Sequence, residues 1–184
     1  SPVSSDVTLW LLVDRSEAVV NAAPSILTGI NRFIDGFDDE TNIGITLYSN
    51  DTSDYIPSSN RNELEGWIST YSGRANTSNC INAALDTMQE QLRERDGAHR
   101  ILLITGELVR QGACPDERPD LNVPVDLIVI ADTVDPFFED LQDRFGGRLL
   151  RANLQTIGNR LDEIKSLWSN PVYELTGDYA DEDL

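Results

Sequence analysis

The sequence predicts an α/β fold, a doubly wound and mostly parallel six-stranded sheet with one short antiparallel edge strand and helices on both faces. Two observations predict it. Apolar runs typical of buried strands alternate along the 184 residues with segments of helical periodicity. Most of these runs are apolar at nearly every position, as in strands that helices cover on both faces. Right-handed crossovers between parallel strands then give the doubly wound arrangement.

Six segments have strand character. Most consist of Val, Ile and Leu, and Asp14 directly follows the first. The third is short and polar, and we expect Pro57 to end it, which is typical of an edge strand. The segments are residues 7–13, 42–48, 53–56, 101–104, 125–131 and 148–152.

Five segments between or after these strands have apolar residues at helical spacing. Pro24 and Pro136 stand near the starts of two of them, while Gly36 and the pair Gly146-Gly147 stand near the ends. These amphipathic segments are residues 26–37, 64–71, 81–92, 137–145 and 154–167.

Charge and length narrow the classes of function. The chain has 32 acidic and 14 basic residues, a net charge of −18, so its field repels nucleic acid. No run approaches the roughly 18 apolar residues that span a bilayer, so we expect no membrane insertion. We interpret residues 1–172 as a single domain and residues 173–184 as an acidic tail or linker.

The residues of common catalytic sites are missing or misplaced. His99, the single histidine, precedes strand 101–104 at the edge opposite the predicted ligand face, so a Ser-His-Asp triad is excluded. We expect it to be a solvated loop residue. No phosphate-binding glycine motif occurs. Trp10, Trp67 and Trp168 are expected to lie in the core. The sequence therefore predicts a protein that is not an enzyme.

Ligands of doubly wound folds bind outside the carboxyl ends of the strands. The loops after Asp14, around Asn79 and after Thr105 reach that edge of the predicted sheet. We therefore expect a ligand face there, with no catalytic residues. Its candidate residues are Asp14, Ser16, Glu17, Ser78, Asn79, Thr105 and Glu107.

Residues from about Asp6 to Trp168 resemble the von Willebrand factor type A domain family. The resemblance rests on the order and spacing of five segments. They are LWLLVDRSEA, SNCINAAL, ILLITGE, VDLIVIAD and FGGRLLRANLQTIGNRLDEI. It implies the fold predicted above and a role in adhesion, assembly or scaffolding.

Members of this family commonly bind a divalent cation through an Asp-x-Ser-x-Ser strand end, a Thr before the third helix and a second Asp. Here Asp14 and Ser16 match, but Ala18 replaces the second Ser, Asn79 the Thr and Thr105 the second Asp. Thr77 or Ser78 could take the place of the missing Thr. One carboxylate of two remains, so a hard cation would be held weakly.

Two interpretations of these residues stay open. Oxygen atoms of Asp14, Ser16, Asn79 and Thr105 could form a weak metal site, with Glu17 or Glu107 as a substitute carboxylate. Alternatively, Asp14 and Ser16 cap the amides of a strand-end turn without any metal. We favour the second and expect no cofactor, so that the isolated domain binds neither Mg²⁺ nor Ca²⁺ at this face.

Cys80 and Cys114 lie in loops that converge on the same sheet edge in a fold of this family, so we expect a disulfide. Two buried thiols and a redox switch are the alternatives. A metal site from these cysteines lacks a third Cys or His ligand.

We therefore expect a secreted, periplasmic or cell-surface interaction or adhesion module that binds a protein partner at its ligand face. An intracellular accessory domain of an ATPase or metal-insertion complex is the alternative, with a cytoplasmic location. A third possibility is a structural domain that only holds its neighbours apart.

Overall fold

The structure, a computed structural model, describes residues 7–110 and 114–169, and it confirms the predicted sheet. One six-stranded sheet has the order β3-β2-β1-β4-β5-β6. Every neighbouring pair is parallel except β2 and β3, which are antiparallel. The strands are β1 Val7–Asp14, β2 Ile43–Tyr48, β3 Thr52–Ser58, β4 Ala98–Gly106, β5 Val125–Ile130 and β6 Leu149–Ala152.

Within the described ranges, five helices cover the two faces of this sheet. They are α1 Ala23–Asp35, α2 Arg61–Ile68, α3 Ile81–Arg93, α4 Pro136–Phe145 and α5 Ile157–Ser169, and a short 3-10 turn occupies Glu17–Val19. Buried residues of α1, α2 and α5 form one core cluster, and those of α3 and α4 form the other.

Strand β1 lies at the centre of the sheet and supplies both cores. Leu9, Leu11 and Val13 pack on the α1 and α5 side, whereas Trp10 and Leu12 pack on the α3 and α4 side. The alternation follows from the two-residue period of a strand. All five side chains are at most 1% exposed. Helices on both faces thus account for the nearly unbroken apolar sequence of this strand.

The segment from α4 to β6 follows the predicted start and stop signals. Asp135 caps the helix by accepting a hydrogen bond from the amide of Phe137, and Pro136 is its first residue. Gly146 ends it in the left-handed conformation, with φ of 70°. A Cβ atom on Gly147 would overlap the main-chain oxygen of Val125. The two glycines therefore serve different needs, one a backbone angle and the other a close approach to β5.

The structure corrects three details of the sequence interpretation. Pro57 does not end β3 but lies within it, beside a register shift opposite Gly44. His99 is not a solvated loop residue: it is part of β4, and its Nδ1 accepts a hydrogen bond of 3.1 Å from Trp10 Nε1. Trp67 is only half-buried: it packs against the core from its margin and stacks on Tyr55, so it is not fully inside the core.

Across residues 7–110 and 114–169, no helix combines the length and apolar character needed to cross a bilayer. The predicted acidic tail at residues 173–184, like the proposed domain boundary at residue 172, lies outside the described part of the chain.

Candidate functional site at the carboxyl edge of the sheet

The carboxyl ends of β1, β2 and β4 lie side by side because these strands are parallel neighbours. The segment that leads into α3 joins the same edge, since the amide of Cys80 donates to the Ser49 oxygen just after β2. We call the resulting surface the rim. It comprises residues 14–20, 48–51, 71–80 and 105–110.

Asp14 lies at the centre of the rim and is fully buried. One carboxylate oxygen accepts a hydrogen bond of 2.7 Å from the amide of Ser16. The other accepts bonds of 3.0 Å from the Gly106 amide, 3.1 Å from Asn79 Nδ2 and 3.2 Å from the Thr105 hydroxyl. Four donors compensate for the burial of this carboxylate.

The side-chain amide of Asn79 lies inside this cluster with a defined orientation. Its Oδ1 accepts a bond of 2.8 Å from the amide of Val109. Its Nδ2 therefore faces oxygen atoms, at 2.7 Å from the Glu107 carbonyl, 3.1 Å from Asp14 Oδ2 and 3.5 Å from Thr105 Oγ1. Reversing the amide would set oxygen against oxygen, so the network fixes its direction.

Ser16 caps the short turn that follows β1. Its hydroxyl oxygen lies 3.2 Å from the amide of Ala18, which donates to it. Together with the bond from the Ser16 amide to Asp14, this is the arrangement in which side chains of a strand-end turn satisfy its amides. Ala18 contributes no side-chain oxygen.

The seven sequence-predicted rim residues separate into buried and exposed groups. Each of the buried ones is at most 1% exposed, and Glu17 and Glu107 are exposed. The buried set is Asp14, Ser16, Ser78, Asn79 and Thr105. The amide of Ser78 donates to Asn50 Oδ1 at 2.8 Å. Thr77, which could have replaced Asn79 as a ligand, donates its hydroxyl to the Arg74 carbonyl instead.

Two buried tyrosines also belong to the rim, and their hydroxyls contact main-chain oxygens of β1 and β4. The sequence did not identify them as rim residues. The hydroxyl of Tyr71 donates to the main-chain oxygen of Asp14 at 2.7 Å, and that of Tyr48 lies 3.4 Å from the Ile104 carbonyl. Burial raises the pKa of both phenols, and the negative charge of Asp14 raises it further. Both hydroxyls therefore stay protonated and remain donors at neutral pH.

Arg15 is a further rim residue that sequence reasoning missed. It is only 5% exposed, and its Nη2 donates to Asp51 at 3.1 Å and to Ser53 at 3.0 Å. Partial desolvation raises the pKa of the Asp51 carboxyl, but bonds from Ser49 and Arg15 and the charges of Arg15 and Arg74 lower it overall. The only sequence signal was a charged residue directly after a buried strand.

The rim has fewer ligands than a divalent cation usually takes. Mg²⁺ and Ca²⁺ need about six or more oxygen ligands, usually with several carboxylates. Here the single carboxylate of Asp14 is already saturated by donors, and an amide nitrogen lies among the oxygen atoms. In the described ranges, no group of three or more His, Cys, Asp or Glu side chains could hold a metal ion.

Cys80 and Cys114 form a disulfide, with a Cα–Cα distance of 5.2 Å. Cys80 directly precedes α3, and Cys114 belongs to the long connection between β4 and β5. The bond therefore ties this connection to the rim beside Asn79.

No protein-family model and no curated protein sequence matches the chain. Several solved structures, however, are similar to it. The conserved hypothetical protein BatB from Bacteroides thetaiotaomicron is 14% identical with a TM-score of 0.67, over 87% of this chain and 96% of that one.

Two further structures are similar. The von Willebrand factor type A protein from Catenulispora acidiphila is 14% identical with a TM-score of 0.67, over 89% of this chain and 42% of that one. The PilB minor pilin from Streptococcus sanguinis, solved as a D319A mutant, is 11% identical with a TM-score of 0.69, over 96% and 65%. The chain thus spans less than two thirds of both, and at these identities the similarity shows the fold alone.

Proposed function

We propose that this chain, whose fold is von Willebrand factor type A-like, is a non-enzymatic interaction module that binds a protein partner at its rim without a bound cation. The observation that carries the proposal is the position of Asn79 Nδ2, which lies among the oxygens of Asp14, Thr105 and Glu107. A neutral donor there satisfies oxygens at positions that, by the resemblance, hold a cation in family members with a complete ligand set.

A rim of this kind offers no vacant metal coordination position to a partner carboxylate. Recognition must instead use the exposed residues around the buried network, above all Glu17 and Glu107. Glu107 also borders a cleft of about 340 Å³. Leu108, Val134 and Pro136 line this cleft, so it has an apolar wall next to an acidic edge. Such a surface suits a partner side chain with an apolar stem and a polar or basic end.

The hydrogen bonding of the rim supports a binding role over a catalytic one. The oxygens of Asp14 are engaged by donors, so Asp14 is not available as a general base. His99 lies at the start of β4, whereas the rim lies at the end of that strand.

The disulfide supports a location outside the reducing cytoplasm, and we propose an extracytoplasmic domain. The same bond weighs against an intracellular accessory domain of an ATPase or metal-insertion complex. A minor pilin is among the similar structures, which suits a role in adhesion or assembly.

Affinity capture with matched variants tests the role of the rim. Glu107→Arg reverses an exposed charge at the rim, and Asp96→Arg does the same between α3 and β4, at the opposite edge of the sheet. A partner captured from extracts of the source organism by the wild type should be retained by Asp96→Arg and lost by Glu107→Arg, with Mg²⁺ or with EDTA. Equal capture by all three proteins, or capture that needs a divalent cation, would contradict the proposal.

Calorimetric titration tests the cation separately. We expect no binding heat when Mg²⁺ or Ca²⁺ is added to the wild type. A triple variant, Ala18→Ser with Asn79→Thr and Thr105→Asp, restores the oxygen ligands and should gain a site. A micromolar site in the wild type that Asp14→Ala abolishes would refute the metal-free rim.

A further inference from the structure

We propose that a second cleft, next to the rim, binds an arginine side chain of the partner protein. It lies between α3 and the segment after Cys114, and its volume is about 550 Å³. We call it the α3 cleft. Its lining includes Asp51, Asn82, Asp86, Pro115, Glu117 and Asp120.

The α3 cleft contains a buried acceptor that has no donor among the described residues. Asn82, on the first turn of α3, is 5% exposed, and its Nδ2 donates to the carbonyls of Pro115 at 3.1 Å and Asp116 at 3.3 Å. These two carbonyls fix the direction of the amide. Its Oδ1 has no hydrogen-bond partner within the described residues. A buried acceptor without a donor is unfavourable, so a donor supplied by a bound group would satisfy this oxygen.

The α3 cleft also carries negative charge from carboxylates on two of its walls. Asp86 follows Asn82 by four residues, so the two side chains lie on the same side of α3. Neither Asp86 nor Glu117 forms an ion pair with any residue that the structure describes. The other two carboxylates of the lining are occupied, Asp51 by Arg15 and Arg74 and Asp120 by Arg144.

Among the described residues, one basic side chain also lines the α3 cleft, but its charge is directed elsewhere. The guanidinium of Arg118 lies over the ring of Phe137, 5.0 Å from its centre. The acceptors of Asn82, Asp86 and Glu117 are therefore left without a matching cation from the described chain.

An arginine side chain fits this set of acceptors better than other groups. A guanidinium has five donors in one plane, so it can bond to a carboxylate and an amide oxygen at once. The chain uses the same chemistry nearby, where Arg15 Nη2 bonds both to the Asp51 carboxylate and to the Ser53 hydroxyl. A net charge of −18 adds long-range attraction for a basic partner and repels an anionic one.

The disulfide holds the two walls of the α3 cleft together. Cys80 is the residue before α3, and Cys114 is the residue before Pro115. The cleft is thus preorganised, which lowers the entropic cost of binding. The inference rests on the proposed function only in that a protein partner supplies the arginine, and a small peptide can test the cleft without that partner.

The test is an NMR titration of the 184-residue protein with a blocked Gly-Arg-Gly peptide, compared with the same peptide carrying citrulline, the neutral isostere. We expect shifts for the arginine peptide at the Asn82 side-chain amide and at residues 115–120. Asp86→Asn should weaken binding about tenfold, the loss of one charge-assisted hydrogen bond. Glu90→Gln removes the same charge from α3 outside the cleft lining and should change the affinity less than twofold.

Three results would overturn the inference. They are equal binding of the citrulline peptide, equal weakening by Asp86→Asn and Glu90→Gln, and shifts at Asn82 that CaCl₂ reproduces at the same concentration. The rim variant Glu107→Arg should leave the titration unchanged. The peptide titration therefore distinguishes failure of the arginine site from failure of the proposed rim function.

Discussion

The Asp14 carboxylate joins parts of the chain that are distant in sequence. Its donors come from Ser16 on the turn after β1, from Asn79 before α3, and from Thr105 and Gly106 at the end of β4. These hydrogen bonds hold three rim segments together, so the carboxylate has a structural role.

We expect Asp14→Ala to reduce the free energy of unfolding by about 3 kcal/mol or more, because it leaves buried donors without an acceptor. Urea unfolding followed by circular dichroism measures the loss. Glu107→Ala removes an exposed carboxylate from the same rim and should cost less than about 0.5 kcal/mol. Similar losses for the two variants would show that Asp14 is not the centre of a buried network.

The position of the rim residues could be predicted, but their hydrogen bonding could not. Parallel strands end at one edge, so Asp14, Asn79 and Thr105 were expected to meet there. The direction of the Asn79 amide depends on the Val109 amide, which lies in an irregular loop after β4. No periodicity specifies such a loop.

At the scale of elements, β3 shows where the sequence pattern was insufficient. Its alternation is weak, and Pro57 was expected to stop it, yet the strand continues to Ser58. Ile56 and Pro57 lie opposite the single residue Gly44, so the strand bulges there. Because β3 is an edge strand, a residue without an amide hydrogen is tolerated. The buried strands, which are apolar almost throughout, were predictable because both of their faces are covered.

The two glycines after α4 provide a matched pair of substitutions. Gly146→Ala meets no atom within 4 Å and places alanine at positive φ, so we expect a loss of about 1 kcal/mol. Gly147→Ala forces its Cβ against the Val125 main chain and should cost about 3 kcal/mol or more. The midpoints of urea unfolding measure the loss of stability in each variant. Equal losses for the two variants would show that the Gly147 backbone lies farther from β5 than in this structure.

The disulfide connects α3 to the loop that follows β4, with a sequence separation of 34. The chain-entropy model gives about 3–4 kcal/mol of stabilisation for such a loop. We expect dithiothreitol to lower the unfolding free energy of the wild type by this amount. A Cys80→Ser, Cys114→Ser double variant should be insensitive to the reductant. Two free thiols in non-reducing mass spectrometry of the native protein would contradict the bond itself.

At the scale of the whole molecule, the charge is the dominant property. A net charge of −18 over 184 residues destabilises the compact state by self-repulsion. We expect the melting temperature to rise from low to molar NaCl, as measured by calorimetry. A variant in which Glu90, Glu94, Asp96 and Asp143, all exposed, become amides should respond less to salt. A flat or falling trend for the wild type would show that self-repulsion is unimportant.

The position of the disulfide has a mechanical consequence. Helix α3 and strand β4 lie entirely between the two cysteines, which are 34 residues apart in sequence. If tension reached the domain through its termini, this covalent loop could not be drawn out. About 115 Å of extended chain would be withheld from the contour length released on rupture. An adhesive or filament-forming assembly built from such a domain would therefore lengthen less per unfolding event in its oxidised state than after reduction.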